Sequence, residues 1–159
     1  MATPSVFLDD RMQAVEDITG YKFADPKILR EALQAAGSTL SSRSDGNKRL
    51  AKVGDTALRL VLDSDGYGKG ANRGMINDII CARASKSYLA EKGFRKGLDR
   101  FIYKNQAQTF VSNGVMTDTV QAILGAVWID SKRNAFAVED VMAALDLSWP
   151  EQGSINDLL

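Results

Sequence analysis

Between Val115 and Asp130 the chain carries Met116, Val120, Ile123, Leu124 and Val127 at helical spacing, with Gly125 and Ala126 side by side among them. Apolar residues returning every three or four positions define the inward face of a helix. Two adjacent small residues on such a helix let a second helix approach closely, which suits the centre of a tightly packed bundle better than its surface. The remaining sequence reads as the rest of that bundle. Asp9 to Ile18 is amphipathic and stops at Gly20, a residue suited to a helix C-terminus. Asp25 and Pro26 supply a cap and a preset first turn for Lys27 to Ala36. A polar loop, Gly37 to Gly46, leads into Asn47 to Leu62, with Leu50, Val53, Ala57, Leu60 and Val61 at helical spacing. Asp63, Ser64, Asp65 and Gly66 read as a turn. Met75 to Lys92 reads as one helix with Ile76, Ile79, Ile80 and Leu89 inward, ended by Gly93, and Ala135 to Leu145 as the last. Pro4, Pro26 and Pro150 lie at element edges, and no alternation persists long enough for a strand. The expected fold class is all-α.

At 159 residues and 45% hydrophobic content, the chain has the size of one domain, expected to span 1–159. No apolar run reaches the roughly 20 residues that cross a bilayer. Met1 to Gln13 lacks the character of a signal or transit peptide, so the expected location is cytoplasmic or nuclear. There is no histidine, which excludes a Ser-His-Asp triad, a Cys-His pair and His-ligated zinc. The single cysteine, Cys81, excludes an intramolecular disulfide; lying in the apolar run Met75 to Ala84, it reads as a buried thiol. Chemistry here falls to carboxylates, Lys, Tyr, Ser, Thr or a carboxylate-held metal. Basic and acidic residues number 20 each, so net charge points to no polyanion partner. The distribution is uneven: Arg83, Lys86, Lys92, Arg95, Lys96, Arg100 and Lys104 face two acids in their segment, whereas five acids and no base follow Arg133. Such a run is either a solvated face or a means of orienting an anion.

Three ordered segments share a resemblance. Gly20-Tyr-Lys-Phe-Ala-Asp-Pro-Lys-Ile-Leu-Arg-Glu-Ala-Leu33, Asn47-Lys-Arg-Leu-Ala-Lys-Val-Gly-Asp-Thr-Ala-Leu58 and Met116-Thr-Asp-Thr-Val-Gln-Ala-Ile-Leu-Gly-Ala-Val-Trp-Ile-Asp-Ser131 resemble the opening turn, the signature helix and the second acidic helix of ribonuclease III domains. The resemblance covers about residues 15–131, leaving 132–159 as a C-terminal helix and tail. It implies a ribonuclease III-like helical bundle that cleaves double-stranded RNA with magnesium held by carboxylates. A hard divalent ion prefers oxygen ligands and activates a bound water. Acids at i and i+4 on the signature helix and at i and i+3 on the later helix would be cofacial on each.

By this resemblance the acids are incomplete. Ala51 stands where the first signature-helix acid is expected and Asp55 keeps the second; Asp118 keeps the first acid of the later helix and Gln121 replaces the glutamate. The supporting acid falls near Lys69 and Gly70. Asp55, Asp118 and Gln121 are thus the candidate catalytic residues, with Asp55 and Asp118 the candidate ligands of a weakly held magnesium or manganese. Asn47, Lys48, Lys52 and Lys69 are candidate substrate-binding residues. Asp55 also lies four residues before Arg59, the spacing of a helical ion pair. Lys52 takes the place of an aromatic residue that the family plugs into a partner subunit, so the resemblance implies a homodimer repacked around Lys52. Only 28 residues follow Ser131, too few for the family's double-stranded-RNA-binding domain.

Three functions follow as alternatives. The first is a divergent ribonuclease III-like protein, a pseudoenzyme of RNA processing that binds structured RNA with hydrolysis weakened or lost. The second is an active endonuclease with an altered metal shell of Asp55, Asp118, Gln121 and Asp63. The third is a fold recruited to assembly or to a small molecule, with Tyr67, Lys48, Lys52 and Asp118 as candidate groups.

Overall fold

Side-chain caps decide where most of the helices begin. The structure, a computed structural model, describes residues 8–38, 45–105 and 107–151. Helix α1 (Asp10–Thr19) starts where the Asp9 carboxylate accepts the Met12 N–H, and stops at Gly20, whose left-handed backbone (φ 70°) returns its N–H to the Glu16 carbonyl. Asp25 caps α2 (Pro26–Ala32) through the Lys27 N–H. Helix α3 (Lys48–Gly68) is the longest at 21 residues. Asn72 caps α4 (Arg73–Arg83), Ser85 caps α5 (Lys86–Arg95), and a 3-10 turn follows at Leu98–Phe101. Ser112 caps α6 (Asn113–Asp130) and Asn134 caps α7 (Ala135–Ala144).

Helix α6 forms the centre. Met116, Val120, Ala122, Ile123, Leu124, Ala126 and Val127 are fully buried, and α3, α5, α2 and α7 pack against them. Burying each large side chain of this set stabilises the fold by about 1.5–3 kcal/mol before entropy is counted. At the end of α6 the Asp130 carboxylate accepts three hydrogen bonds, from the Tyr21 hydroxyl (2.8 Å) and the backbone N–H groups of Ala24 (2.8 Å) and Asp25 (2.9 Å). That single side chain ties the α1–α2 connection to the core. Burial first, and the hydrogen bond to Asp130 second, push the Tyr21 phenol well above its ordinary value. Among the described residues there is no strand; Gln34 and Tyr103 form one isolated bridge. No described helix is long and apolar enough to cross a membrane.

The all-α reading holds, with several differences in detail. The expected helix from Met75 to Lys92 is two helices, because the Ser85 hydroxyl accepts the Tyr88 N–H and restarts the chain after Ala84. Gly93 does not end α5 but lies within it, where a Cβ would sit 2.3 Å from the Met116 sulfur. The expected turn at Asp63 to Gly66 is helical: α3 continues to Gly68, and buried Gly66 packs against the Trp149 ring. The second helix ends at Ala32, not Ala36, since Ala35 bonds to Tyr103 instead of extending α2. Cys81 is exposed rather than buried, on the outer side of α4 from Ile79 and Ile80. Pro4, residues 39–44 of the expected polar loop and the tail beyond 151 lie outside the described residues.

Candidate functional site

The site is built on the crossing of α3 and α6. A Cβ added at Gly54 would lie 1.6 Å from the Gln121 carbonyl oxygen, and one added at Gly125 would lie 2.1 Å from the Leu50 carbonyl oxygen. No side chain fits either gap, so the two backbones touch. Asp55 follows Gly54 directly, and this contact sets it beside Gln121.

The Asp55 carboxylate is already engaged. Its Oδ1 accepts a hydrogen bond from the Gln121 side-chain amide (3.3 Å) and another from Arg59 Nε (3.0 Å). The Arg59 pair is the one the i, i+4 spacing suggests, with side-chain exposures of 48% for Arg59 and 37% for Asp55. Gln121 therefore presents an N–H donor to Asp55, not the oxygen that a metal shell would use. Asp118 lies one turn earlier on α6, partly buried, and makes no hydrogen bond or ion pair with a described residue. Ala51, at the position where the sequence resemblance implies the first acid of this helix, is 5% exposed and carries only a methyl group.

These residues do not fit a resident magnesium ion. A hard divalent cation needs several converging oxygen ligands, and among the described residues no three acidic or other metal-binding side chains converge. The Arg59 guanidinium already sets a positive charge beside Asp55.

The other candidates are dispersed. Asn47 does not face substrate: it is 1% exposed, and its amide donates to the Ala32 carbonyl (2.8 Å) and the Thr119 hydroxyl (3.3 Å), locking α3 to α2 and α6. Lys48 and Lys52 are exposed on α3. Lys69 lies at the far end of that helix, about 21 Å along it from Asp55 at 1.5 Å per residue, in a separate groove of about 370 Å³ with Asn72, Met75 and Trp149. It does not face the Asp55 site. Asp63 is two helical turns beyond Asp55 and exposed, and Tyr67 is exposed, so neither joins the site. Asp65 turns toward Glu139 on α7 instead. Burial, the Asp65 charge and a hydrogen bond to Asp65, then Asp140, hold the Glu139 carboxyl above its ordinary value. Much of the basic middle segment is used internally. Arg83 and Lys92 lie over the Tyr88 ring, Arg95 pairs with Glu91, and Lys96 pairs with Asp146.

Lys52 also borders an apolar groove of about 450 Å³ floored by Val53, Ala57, Leu60 and Trp128. A second groove of about 400 Å³, lined by Ile28, Leu50 and Ile129, shares Arg49 and Val53 with it. Leu60 and Ile129 remain 52% and 45% exposed there. The residue that sequence reasoning underrated is Arg59. Its spacing from Asp55 was visible, but its position at the heart of the site follows only from the α3–α6 crossing.

No family model matches the chain. The chain is 29% identical over 147 residues to Ribonuclease 3 of Idiomarina loihiensis, covering 86% of this chain and 58% of that protein. It is 30% identical over 138 residues to Ribonuclease 3 of Shewanella sediminis, covering 83% of this chain and 57% of that protein. The chain thus spans little more than half the length of these curated relatives. The nuclease domain of ribonuclease III from Campylobacter jejuni superposes with a TM-score of 0.76 at 22% identity, over 88% of this chain and 99% of that one. A second structure of that domain gives a TM-score of 0.76 at 21% identity, over 90% of this chain and 99% of that one. With seven helices among the described residues, these likenesses show that the chain has the fold of the ribonuclease III nuclease domain and is similar in sequence to Ribonuclease 3 proteins.

Proposed function

We propose that this chain is a divergent ribonuclease III-like protein that binds structured, double-stranded RNA and has weakened or lost metal-dependent phosphodiester hydrolysis. The observation that carries this reading is the state of Asp55: one of its two carboxylate oxygens, Oδ1, accepts hydrogen bonds from both Arg59 and the Gln121 amide. Water activation by a divalent ion depends on acids that fix and charge-balance that ion, and here one acid is absent at Ala51 and a second is replaced at Gln121. RNA recognition needs no such chemistry. Duplex RNA is read largely by shape and by backbone contacts, which exposed basic side chains supply. The C. jejuni nuclease domain has a region involved in dimer formation. Pairing of two copies through the apolar groove beside Lys52 is the assembly this reading adopts.

Two alternatives receive less support. An altered metal shell of Asp55, Asp118 and Gln121 would need their oxygens turned to one ion, whereas Gln121 offers its N–H to Asp55 and Arg59 pairs with that carboxylate; Asp63 lies two turns away on the same helix. A small-molecule enzyme would need an enclosed pocket, whereas the grooves beside Lys52 and Lys69 are open.

The test is incubation of the protein with duplex RNA in magnesium and, separately, in manganese, alongside a binding measurement at low salt. Binding without strand cleavage is the expected result. Manganese-dependent cutting that disappears in Asp55→Ala would overturn the loss of hydrolysis, and failure to bind any duplex would overturn the RNA role.

A further inference from the structure

Four polar side chains of α3 line one stripe. At 100° per residue, Lys48, Lys52, Asp55 and Arg59 fall within about 60° of one another around the helix axis. They lie away from the buried row of Leu50, Gly54, Ala57, Leu58 and Val61. The stripe is about 16 Å long at 1.5 Å per residue. Lys48 and Lys52 are exposed and form no ion pair with a described residue. Arg59 commits its Nε to Asp55, and its two terminal nitrogens have no described partner. Three cations and one carboxylate leave this stripe net positive, on the helix where a metal-binding member of the fold would carry two acids.

We infer that Arg59 is the resident cation of this site: it neutralises Asp55 in place of a metal ion, and its outward nitrogens, with Lys52 and Lys48, take a phosphodiester of duplex RNA directly. The inference rests on the RNA-binding reading above and adds that binding at this site requires no divalent ion. A guanidinium is suited to both tasks. It is permanently charged, and one edge can hold a carboxylate while the remaining N–H groups keep a planar fork for phosphate oxygens. A metal would mediate between carboxylates and phosphate, both anions. Arg59 does so covalently anchored to the chain, with Gln121 donating the second hydrogen bond that keeps Asp55 in position. The lysines about two and three turns away extend the positive row in the direction a backbone would follow.

Fluorescence anisotropy of a labelled RNA duplex titrated with the full chain at low salt, in EDTA, in magnesium and in manganese, tests this. Affinity is expected to be the same in EDTA as with either ion. Arg59→Gln is expected to weaken binding about tenfold, the worth of one charge-assisted contact. It should also make the salt dependence shallower by about one unit of slope, while Arg59→Lys recovers part of the affinity. Circular dichroism checks that each variant keeps its helices. Duplex binding that requires a divalent ion, or that Arg59→Gln leaves unchanged, overturns the inference and leaves the RNA-binding reading standing. Absence of duplex binding in all three buffers overturns both. A manganese titration of the free protein followed by water-proton relaxation is expected to be silent, and a saturating site would overturn the inference whatever the RNA does.

Discussion

Gly54 and Gly68 lie on one helix and make opposite demands on it. A methyl group at Gly54 would collide with the Gln121 backbone, whereas one at Gly68 meets nothing within 4 Å. Gly54→Ala is therefore expected to destabilise the fold by about 3 kcal/mol or more, since neither backbone can yield without parting α3 from α6. Gly68→Ala is expected to be neutral or stabilising by about 0.5 kcal/mol through reduced freedom of the unfolded chain. Urea denaturation of the two variants measures both, and equal effects would contradict a backbone-tight crossing. At this scale the sequence was only partly legible. The adjacent Gly125 and Ala126 announced a close approach, and Asp55 and Arg59 announced an ion pair. Gln121 was read as an oxygen donor to a metal because nothing in one-dimensional spacing shows which end of an amide faces a neighbour. Asn47 reads from the sequence as a candidate substrate-binding residue, and its enclosure by α2 and α6 is set by tertiary packing that one-dimensional spacing does not show.

Between elements, the seam of α3 and α7 holds two carboxyl groups together. Glu139 is held above its ordinary value by burial and by Asp65. A group whose folded value is raised contributes stability that is complete below its unfolded value, about 4.3 for glutamate, and is lost as pH rises through the folded value. Glu139→Gln removes that loss. The variant is expected to be more stable than the parent at pH 7, and its stability should fall less between pH 4 and neutrality, in thermal or urea unfolding across that range. A parent and variant with the same pH profile would show that the two carboxyl groups do not interact. Asp65 reached this seam because α3 did not stop where the Asp-Ser-Asp-Gly sequence suggests a turn. Local turn preference lost to tertiary packing, with Gly66 fitted against Trp149 and the helix carried on above it. The break at Ala84 was hidden for the reverse reason. The apolar period runs through it, and only the Ser85 hydroxyl, a cap whose use depends on backbone conformation, marks the restart.

On the scale of the whole molecule, the open apolar groove beside Lys52 is where self-association is expected. A lysine at its edge offers a stem to the apolar floor but cannot fill it without burying its charge. Lys52→Phe is expected to strengthen the pairing of two copies, and Leu60→Glu, which puts a carboxylate on the 52%-exposed leucine, is expected to leave monomers. Sedimentation velocity over a concentration series reads both, and an unchanged distribution in each variant would remove this face from the assembly. The crossing at Gly54 and Gly125 bears on the molecule's history as well as its shape. Many metal-dependent domains are assembled by their ion, so that loss of one ligand unravels the frame. Here the walls of the site meet through main-chain contact at Gly54 and Gly125. Such a frame tolerates the exchange of its charged groups one at a time, which lets chemistry drift while architecture stays put.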